Sequence, residues 1–162
     1  MIRPKKSLGQ NFLIDKNIII KILNIVDIKN KNVLEIGPGT GNLTSAIIEN
    51  NPSKLIVIEK DNELAKNLEE KYDNEIEIIN KDVLDLDENS LSNSKLIVFG
   101  NLPYNISTEI LCKWILNIKK DYWFENLILM FQKEVADRIL AKFNTRYYGR
   151  LSIFTNWKLN VE

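Results

Sequence analysis

The residues of this chain best suited to chemistry are Asn101, Leu102, Pro103 and Tyr104 in "FGNLPYNIS", set directly behind the apolar run Lys95-Leu96-Ile97-Val98. Proline has no N–H and a fixed φ, so it turns the chain at that point and lines the turn with carbonyls instead of extending strand or helix. Upstream, "EIGPGTGNLT" places Gly37, Gly39 and Gly41 between an apolar run and a helical one, where glycine permits tight turning and close approach of a ligand to the backbone. The dinucleotide fingerprint wants a glycine where this chain has Asn42, which speaks against a dehydrogenase. The spacing it does have accommodates a nucleoside without a pyrophosphate. Glu59 closes the next apolar run, placed to accept hydrogen bonds from both hydroxyls of a ribose, and Asp82 follows the third, placed to accept from an adenine amino group.

Scarcity excludes other chemistries. The chain has no histidine and one cysteine, which removes zinc chemistry, Ser-His and Cys-His triads and an internal disulfide. Cys112 lies in "EILCKWIL" among apolar residues at helical spacing and reads as a structural thiol.

The elements that must hold these residues follow a simple rhythm. "SLGQNFL" is extended, and Lys16 to Val26 has the apolar spacing of an amphipathic helix. Short apolar runs, "NVLEIG", "KLIVIE", "IEIIN", "KLIVFGN" and "NLILMF", then alternate with helical segments around "LTSAIIEN", "DNELAKNLEEKY", "TEILCKWILNI" and "QKEVADRILAKF". Apolar runs without polar alternation suit strands covered on both faces, joined by right-handed helical crossovers. The expected fold class is therefore α/β, a doubly wound and mostly parallel sheet with helices on both faces, forming one domain over residues 1–162. Ligands in such sheets bind beyond the carboxyl ends of the strands, near the switch in strand order, and every residue singled out above follows a strand.

With 162 residues, 44% hydrophobic and 27% charged, the composition is that of one ordinary soluble domain. No apolar run approaches the roughly 18 residues of a membrane helix, and "MIRPKKSLGQ" has no apolar stretch behind its basic residues to act as a secretory signal. A cytoplasmic monomer, without membrane or metal, is the expectation. Net charge is zero but unevenly spread. Residues 1–31 carry seven Lys/Arg against two Asp/Glu and residues 137–158 five against one, whereas residues 59–88 carry twelve acids against four bases. Such runs commonly form solvated helix faces; the functional alternative is that the basic ends meet as a phosphate-binding surface.

The order "GQNFL", "EIGPGTG", Glu59, Asp82 and "NLPYNIS" resembles the S-adenosylmethionine-dependent adenine dimethyltransferases that modify ribosomal RNA, and the resemblance covers essentially the whole chain. "NLPYNIS", "MFQKEVADR" and "YGRLS" are similar to the KsgA family, which dimethylates two adjacent adenines in a hairpin loop near the 3′ end of the small-subunit RNA. Erm-type large-subunit methyltransferases share the glycine loop and a similar motif at 101–107, so "QKEVADR" and "YGRLS" discriminate better. The resemblance implies that Asn11 and Leu13, with Gln10, hold the methionine end of S-adenosylmethionine, Gly37 lines the loop beneath it, Glu59 takes the ribose, Asp82 takes the adenine, and Asn101 lies beside the transferred methyl.

For such a reaction the exocyclic amine of adenine, whose lone pair is delocalised into the ring, must be drawn toward tetrahedral geometry. The Asn101 side-chain carbonyl and a backbone carbonyl of Leu102 or Pro103 can accept its two N–H bonds, and Tyr104 can stack on the flipped base, an interaction of ~1–3 kcal/mol. Phe131 could also pack near the base, though a place in the core suits it better. Lys5, Lys6, Arg138, Arg146 and Arg150 are candidate phosphate contacts to small-subunit ribosomal RNA in the immature small subunit. Family members continue beyond the point corresponding to "NWKLNVE", so a catalytic domain truncated before the last strands, with its fifth strand at an exposed edge, is expected. The rival readings are an Erm-type large-subunit enzyme and a non-catalytic RNA-binding assembly factor.

Overall fold

The computed structural model describes residues 4–5, 9–118 and 120–162. Five strands, β1 (Asn32–Ile36), β2 (Lys54–Ile58), β3 (Glu77–Ile79), β4 (Leu96–Asn101) and β5 (Phe124–Met130), form one sheet in the order β3-β2-β1-β4-β5, every pairing parallel. Six helices accompany them: α1 (Lys16–Leu23), α2 (Asn42–Glu49), α3 (Asn62–Tyr72), α4 (Ser107–Asn117), α5 (Lys133–Ile139) and α6 (Arg150–Lys158).

Alternation along the strands divides the core in two. Val33, Leu55, Val57, Ile97 and Phe99 face one layer, filled by Ile19 and Ile22 of α1, Leu43 and Ile47 of α2, and Leu68 and Tyr72 of α3. Leu34, Ile36, Ile56, Ile58 and Val98 face the other, filled by Ile110 and Trp114 of α4. Strands that bury both faces must read as unbroken apolar runs, which is why these were legible. The chain moves outward from β1 to β3 and then returns to place β4 on the other side of β1. The switch in strand order therefore lies between β1 and β4, where Gly37 and Asn101 end neighbouring strands.

Some boundaries differ from the expectation. Helix α1 stops at Leu23, where Asn24 caps it, three residues before Val26. Helix α5 ends at Ile139 instead of running on toward Phe143, and the chain then turns through 140–149. Helix α6 was not marked in the sequence, because Leu151, Ile153, Phe154 and Trp157 scatter apolar side chains around the axis and give no single face. Strand β5 lies at the sheet edge as expected. Phe131 packs with the core of the α4 layer, and Cys112 is half-buried, with its thiol pushed up by burial.

Candidate active site

At the carboxyl ends of β1, β2 and β4 a single pocket collects Gly37, Gly39, Glu59, Asp82, Asn101 and Pro103 from the strand ends, with Gln10 and Asn11 of the N-terminal segment as its other wall. Residues far apart in sequence meet because each follows a strand that ends at the same sheet edge.

The floor is the glycine turn. Gly37, Gly39 and Gly41 all have left-handed backbone, with φ of +67°, +59° and +78°, a region open to glycine at little cost. A Cβ at Gly37 would stand 3.0 Å from the carbonyl oxygen of Asn101, and one at Gly39 would stand 2.9 Å from the Phe12 ring. Gly41 faces inward instead, toward Leu68 and Tyr72.

Glu59 is 6% exposed. Its Oε2 accepts from Gly39 N–H at 3.2 Å and its Oε1 from Asp61 N–H at 2.9 Å. The carboxyl is thus locked against the glycine turn, with part of its acceptor capacity remaining for a ligand. Burial raises its pKa, while those N–H donors and the Glu59-facing backbone of Lys60 pull the other way. Asp82 caps the short 3₁₀ turn Val83–Asp85, accepting from Leu84 N–H at 3.0 Å, and pairs with Lys60 at 2.5 Å. Burial alone would raise its pKa; the hydrogen bonds from Lys60 and Leu84 more than offset that and hold it ionised.

The N-terminal segment is tied down at three points. Asn11 Nδ2 donates to the Tyr104 hydroxyl at 2.6 Å, the Asn11 carbonyl accepts from Asn101 Nδ2 at 2.5 Å, and Gln10 Nε2 donates to Asp61 at 3.2 Å. Lys5 also reaches Asp61, at 2.8 Å, and Glu63 at 3.4 Å. Burial would raise the Asp61 pKa, but hydrogen bonds from Lys5 and Gln10 prevail and lower it. At the turn after β4, Pro103's carbonyl accepts from Ile106 N–H at 3.1 Å, Leu102 is buried in the α4 layer, and Tyr104 is 37% exposed at the rim.

Of the residues singled out from sequence, Gln10, Asn11, Gly37, Gly39, Glu59, Asp82, Asn101 and Pro103 line one pocket, while Tyr104 stands outside its lining, bonded to Asn11. Leu13 and Gly41 do not line the pocket: the Leu13 carbonyl accepts from Asn42 Nδ2 at 2.9 Å and its side chain packs on the α1–α2 core. Leu102 can contribute only through its backbone. Lys5 spends its charge on Asp61 and Glu63, Arg138 pairs with Glu134 within α5, Arg146 lies beside Tyr147, and Arg150 opens α6; Lys6 lies outside the described residues. Sequence reasoning missed Phe12, Lys60, Leu84 and Ile106 of the pocket wall, and Asp61. An acid two residues beyond Glu59, ahead of a helical run, was a readable helix-cap signal for Asp61; the apolar wall residues carry no comparable mark.

A parallel, doubly wound sheet with a glycine turn, a carboxylate at the end of the second strand and an Asn-Leu-Pro-Tyr turn at the switch point defines a nucleoside-binding α/β domain of methyltransferase type. The model of the ribosomal RNA adenine dimethylase family matches residues 1–162, and the chain belongs to that family. Among curated relatives, the ribosomal RNA small subunit methyltransferase A of Pelagibacter ubique is 63% identical, over 99% of this chain and 62% of its own length. The protein of the same description from the Wolbachia of Drosophila simulans is 45% identical, over 100% of this chain and 60% of its own. The chain thus spans about three fifths of the length of these relatives. Among solved structures, a dimethyladenosine transferase of Plasmodium falciparum superposes with a TM-score of 0.77 at 30% identity, covering 90% of this chain and 52% of that one. The 23S rRNA methyltransferase ErmE superposes at 0.73 and 28% identity, covering 90% and 57%.

Proposed function

We propose that this chain is the catalytic part of an enzyme that transfers methyl groups from S-adenosylmethionine to the exocyclic amines of two adjacent adenines in the 3′-terminal hairpin loop of small-subunit ribosomal RNA, during ribosome assembly in the cytoplasm. The observation that carries the reading is the joining of Asn101, Asn11 and Tyr104 by two hydrogen bonds at the mouth of a pocket floored by glycines and closed by a buried carboxylate.

The residues present fit the cofactor. A turn stripped of Cβ atoms leaves room for a ligand against the backbone, Glu59 and Asp82 offer acceptors at the ends of successive strands, and Leu84 and Ile106 supply apolar wall. S-adenosylmethionine supplies an electrophilic methyl on a sulfonium sulfur. Glu59 would take the ribose hydroxyls with its free lone pairs, Asp82 the adenine amino group, and Gln10 and Asn11 the methionine end.

The protein's part in the chemistry is to aim a weak nucleophile. Asn101 Oδ1 accepts one N–H of the target amine. The second acceptor is a backbone carbonyl of Leu102 or of Pro103, whose oxygen accepts from Ile106 N–H and keeps a second lone pair. Two acceptors draw the nitrogen toward tetrahedral geometry and stabilise the positive charge that develops on it. Tyr104, held at its hydroxyl by Asn11, keeps its ring for stacking on the base. The methylated nitrogen loses its proton to water, so no histidine is required. A base in a loop is cheaper to unstack than one in a duplex, which suits a hairpin-loop target.

Two observations favour the small subunit: curated relatives 63% and 45% identical to the chain bear that name, and the chain carries "YGRLS" at Tyr148–Ser152. The test is radiolabelled methyl transfer to undermethylated small ribosomal subunits and, in parallel, to large-subunit RNA, using this chain and a version continued to the length of its relatives. Label entering dimethyladenosine of the small-subunit RNA is expected; preference for the large-subunit RNA would transfer the assignment to the Erm side.

A further inference from the structure

A run of exposed large apolar side chains lies outside the pocket. Leu140, Phe143, Tyr147 and Tyr148 on the 140–149 loop and Ile153 and Trp157 on α6 are all exposed, Phe143 at 74% and Trp157 at 63%. None of them lines the pocket. Arg150, Ile153 and Trp157 recur at helical spacing and share one side of α6.

The same stretch is cationic. Arg138, Lys142, Arg146, Arg150 and Lys158 fall between positions 138 and 158 with no Asp or Glu among them, in a chain whose net charge is zero. Lys142, Arg146 and Arg150 enter no ion pair among the described residues, whereas Arg138 is neutralised by Glu134. Cations are already interleaved with rings: the Arg146 guanidinium lies 5.5 Å from the centre of the Tyr147 ring, and Lys158 Nζ 4.6 Å from that of Trp157. Phe143 and Tyr148 brace each other edge to face at 5.6 Å.

We propose that the 140–149 loop and the outer side of α6 form a platform for unpaired RNA bases, distinct from the methyl-transfer pocket. The partner is chosen by the two properties together. Exposed rings offer every base a stacking face, and the unpaired cations between them meet the phosphates, the combination by which single strands are held without sequence readout. A second copy of the chain docking face to face would oppose like charges across the contact. The proposal rests on RNA being the substrate and adds where a flanking single-stranded segment is gripped.

Trp157 provides the readout, because Trp114 and Trp123 are buried. Titrating the chain with a twelve-nucleotide single-stranded RNA should quench its fluorescence saturably, with affinity falling as salt rises, and a duplex of the same sequence should bind more weakly. By polarisation of the labelled oligonucleotide, Trp157→Ala and Phe143→Ala should each weaken binding about tenfold, within the range for one stacked base. Trp157→Phe should retain most of it. Thermal melts of each variant separate loss of fold from loss of contact. Aromatic variants that bind within twofold of the parent while Arg150→Ala weakens binding would reduce the surface to phosphate contacts and overturn the platform. Binding to anionic lipid vesicles but not to the oligonucleotide, or concentration-dependent dimerisation lost in Trp157→Ala, would overturn it in favour of a membrane or a second copy. Calorimetry with S-adenosylhomocysteine, run on the same samples, reports the pocket alone, so failure there and failure here are distinct.

Discussion

The side-chain amide of Asn101 donates to the main-chain carbonyl of Asn11 at 2.5 Å, across 90 residues of sequence. An asparagine amide has one donor end and one acceptor end, so spending the donor on Asn11 leaves Oδ1 as the end that would accept from the target amine under the proposed function. Asn101→Ala is expected to lower the rate of methyl transfer about 10²–10³-fold, as for removal of one preorganised hydrogen-bonding group, with a much smaller effect on affinity for S-adenosylhomocysteine. Asn101→Asp, which sets a carboxylate against the Asn11 carbonyl, should be as inactive. Single-turnover transfer of labelled methyl measures this, and an Asn101→Ala enzyme turning over at the parent rate would remove Asn101 from the chemistry.

The three glycines of the turn should separate by variant. All three have positive φ, so alanine at any of them costs roughly 1–2 kcal/mol of backbone strain. At Gly37 the added methyl also meets the Asn101 carbonyl, and at Gly39 the Phe12 ring, both at the pocket; at Gly41 it meets Leu68 and Tyr72 in the core. Gly37→Ala and Gly39→Ala are therefore expected to lower affinity for S-adenosylhomocysteine tenfold or more, and Gly41→Ala to lower stability with affinity changed least. Calorimetry beside urea melts resolves the two effects; equal affinity losses at all three positions would contradict this division.

What could be read from the chain beforehand follows from what the physics writes locally. Strands β1, β2 and β4, buried on both faces, show as apolar runs, and the rule that ligands bind past the carboxyl ends of such strands points to Glu59 and Asn101, which line one pocket. Helix α6 left no face to detect. Leu13 has the apolar side chain of a core residue and is placed at the cofactor by resemblance alone, and Gly41 carries nothing to say that its open side meets Tyr72. The pairing of Lys5 with Asp61, like that of Lys60 with Asp82, depends on loop placement that no periodicity encodes.

Asp82 is held in place from behind. Lys113 on α4 donates to the carbonyls of Val83 at 2.7 Å and Leu86 at 2.5 Å, and to Glu88 Oε1 at 2.6 Å. That same carboxylate oxygen accepts from Trp114 Nε1 at 2.7 Å, and the Glu88 side chain is fully buried. Removing the ammonium alone strands a buried carboxylate, so Lys113→Met is expected to cost ~3–5 kcal/mol and to weaken cofactor binding through the loop that carries Asp82. Adding Glu88→Gln should recover a substantial part of the stability. Urea denaturation of the single and double variants decides, and a double variant no more stable than Lys113→Met would show that the buried charge is not the cause.

Glu35, in the middle of β1, is 1% exposed and accepts from the Thr44 hydroxyl at 2.7 Å. Burial lifts its pKa from the ordinary 4.5 to about 8, with the Thr44 hydrogen bond and Lys71 opposing and Glu59 adding to the rise. Between those values the folded state holds a proton that the unfolded chain has released, so the contribution of Glu35 to stability is present in full below about pH 4.5, declines as pH rises, and is lost above about 8. Asp61 and Asp82, whose pKa values are lowered, act in the opposite sense and only below their ordinary 3.8, so the two windows do not overlap. Glu35→Gln keeps an acceptor for Thr44 and removes the ionisation. Its melting temperature should approach or fall below that of the parent near pH 4.5 and gain on it steadily to pH 8.5; a constant difference across that range would mean that Glu35 does not titrate there.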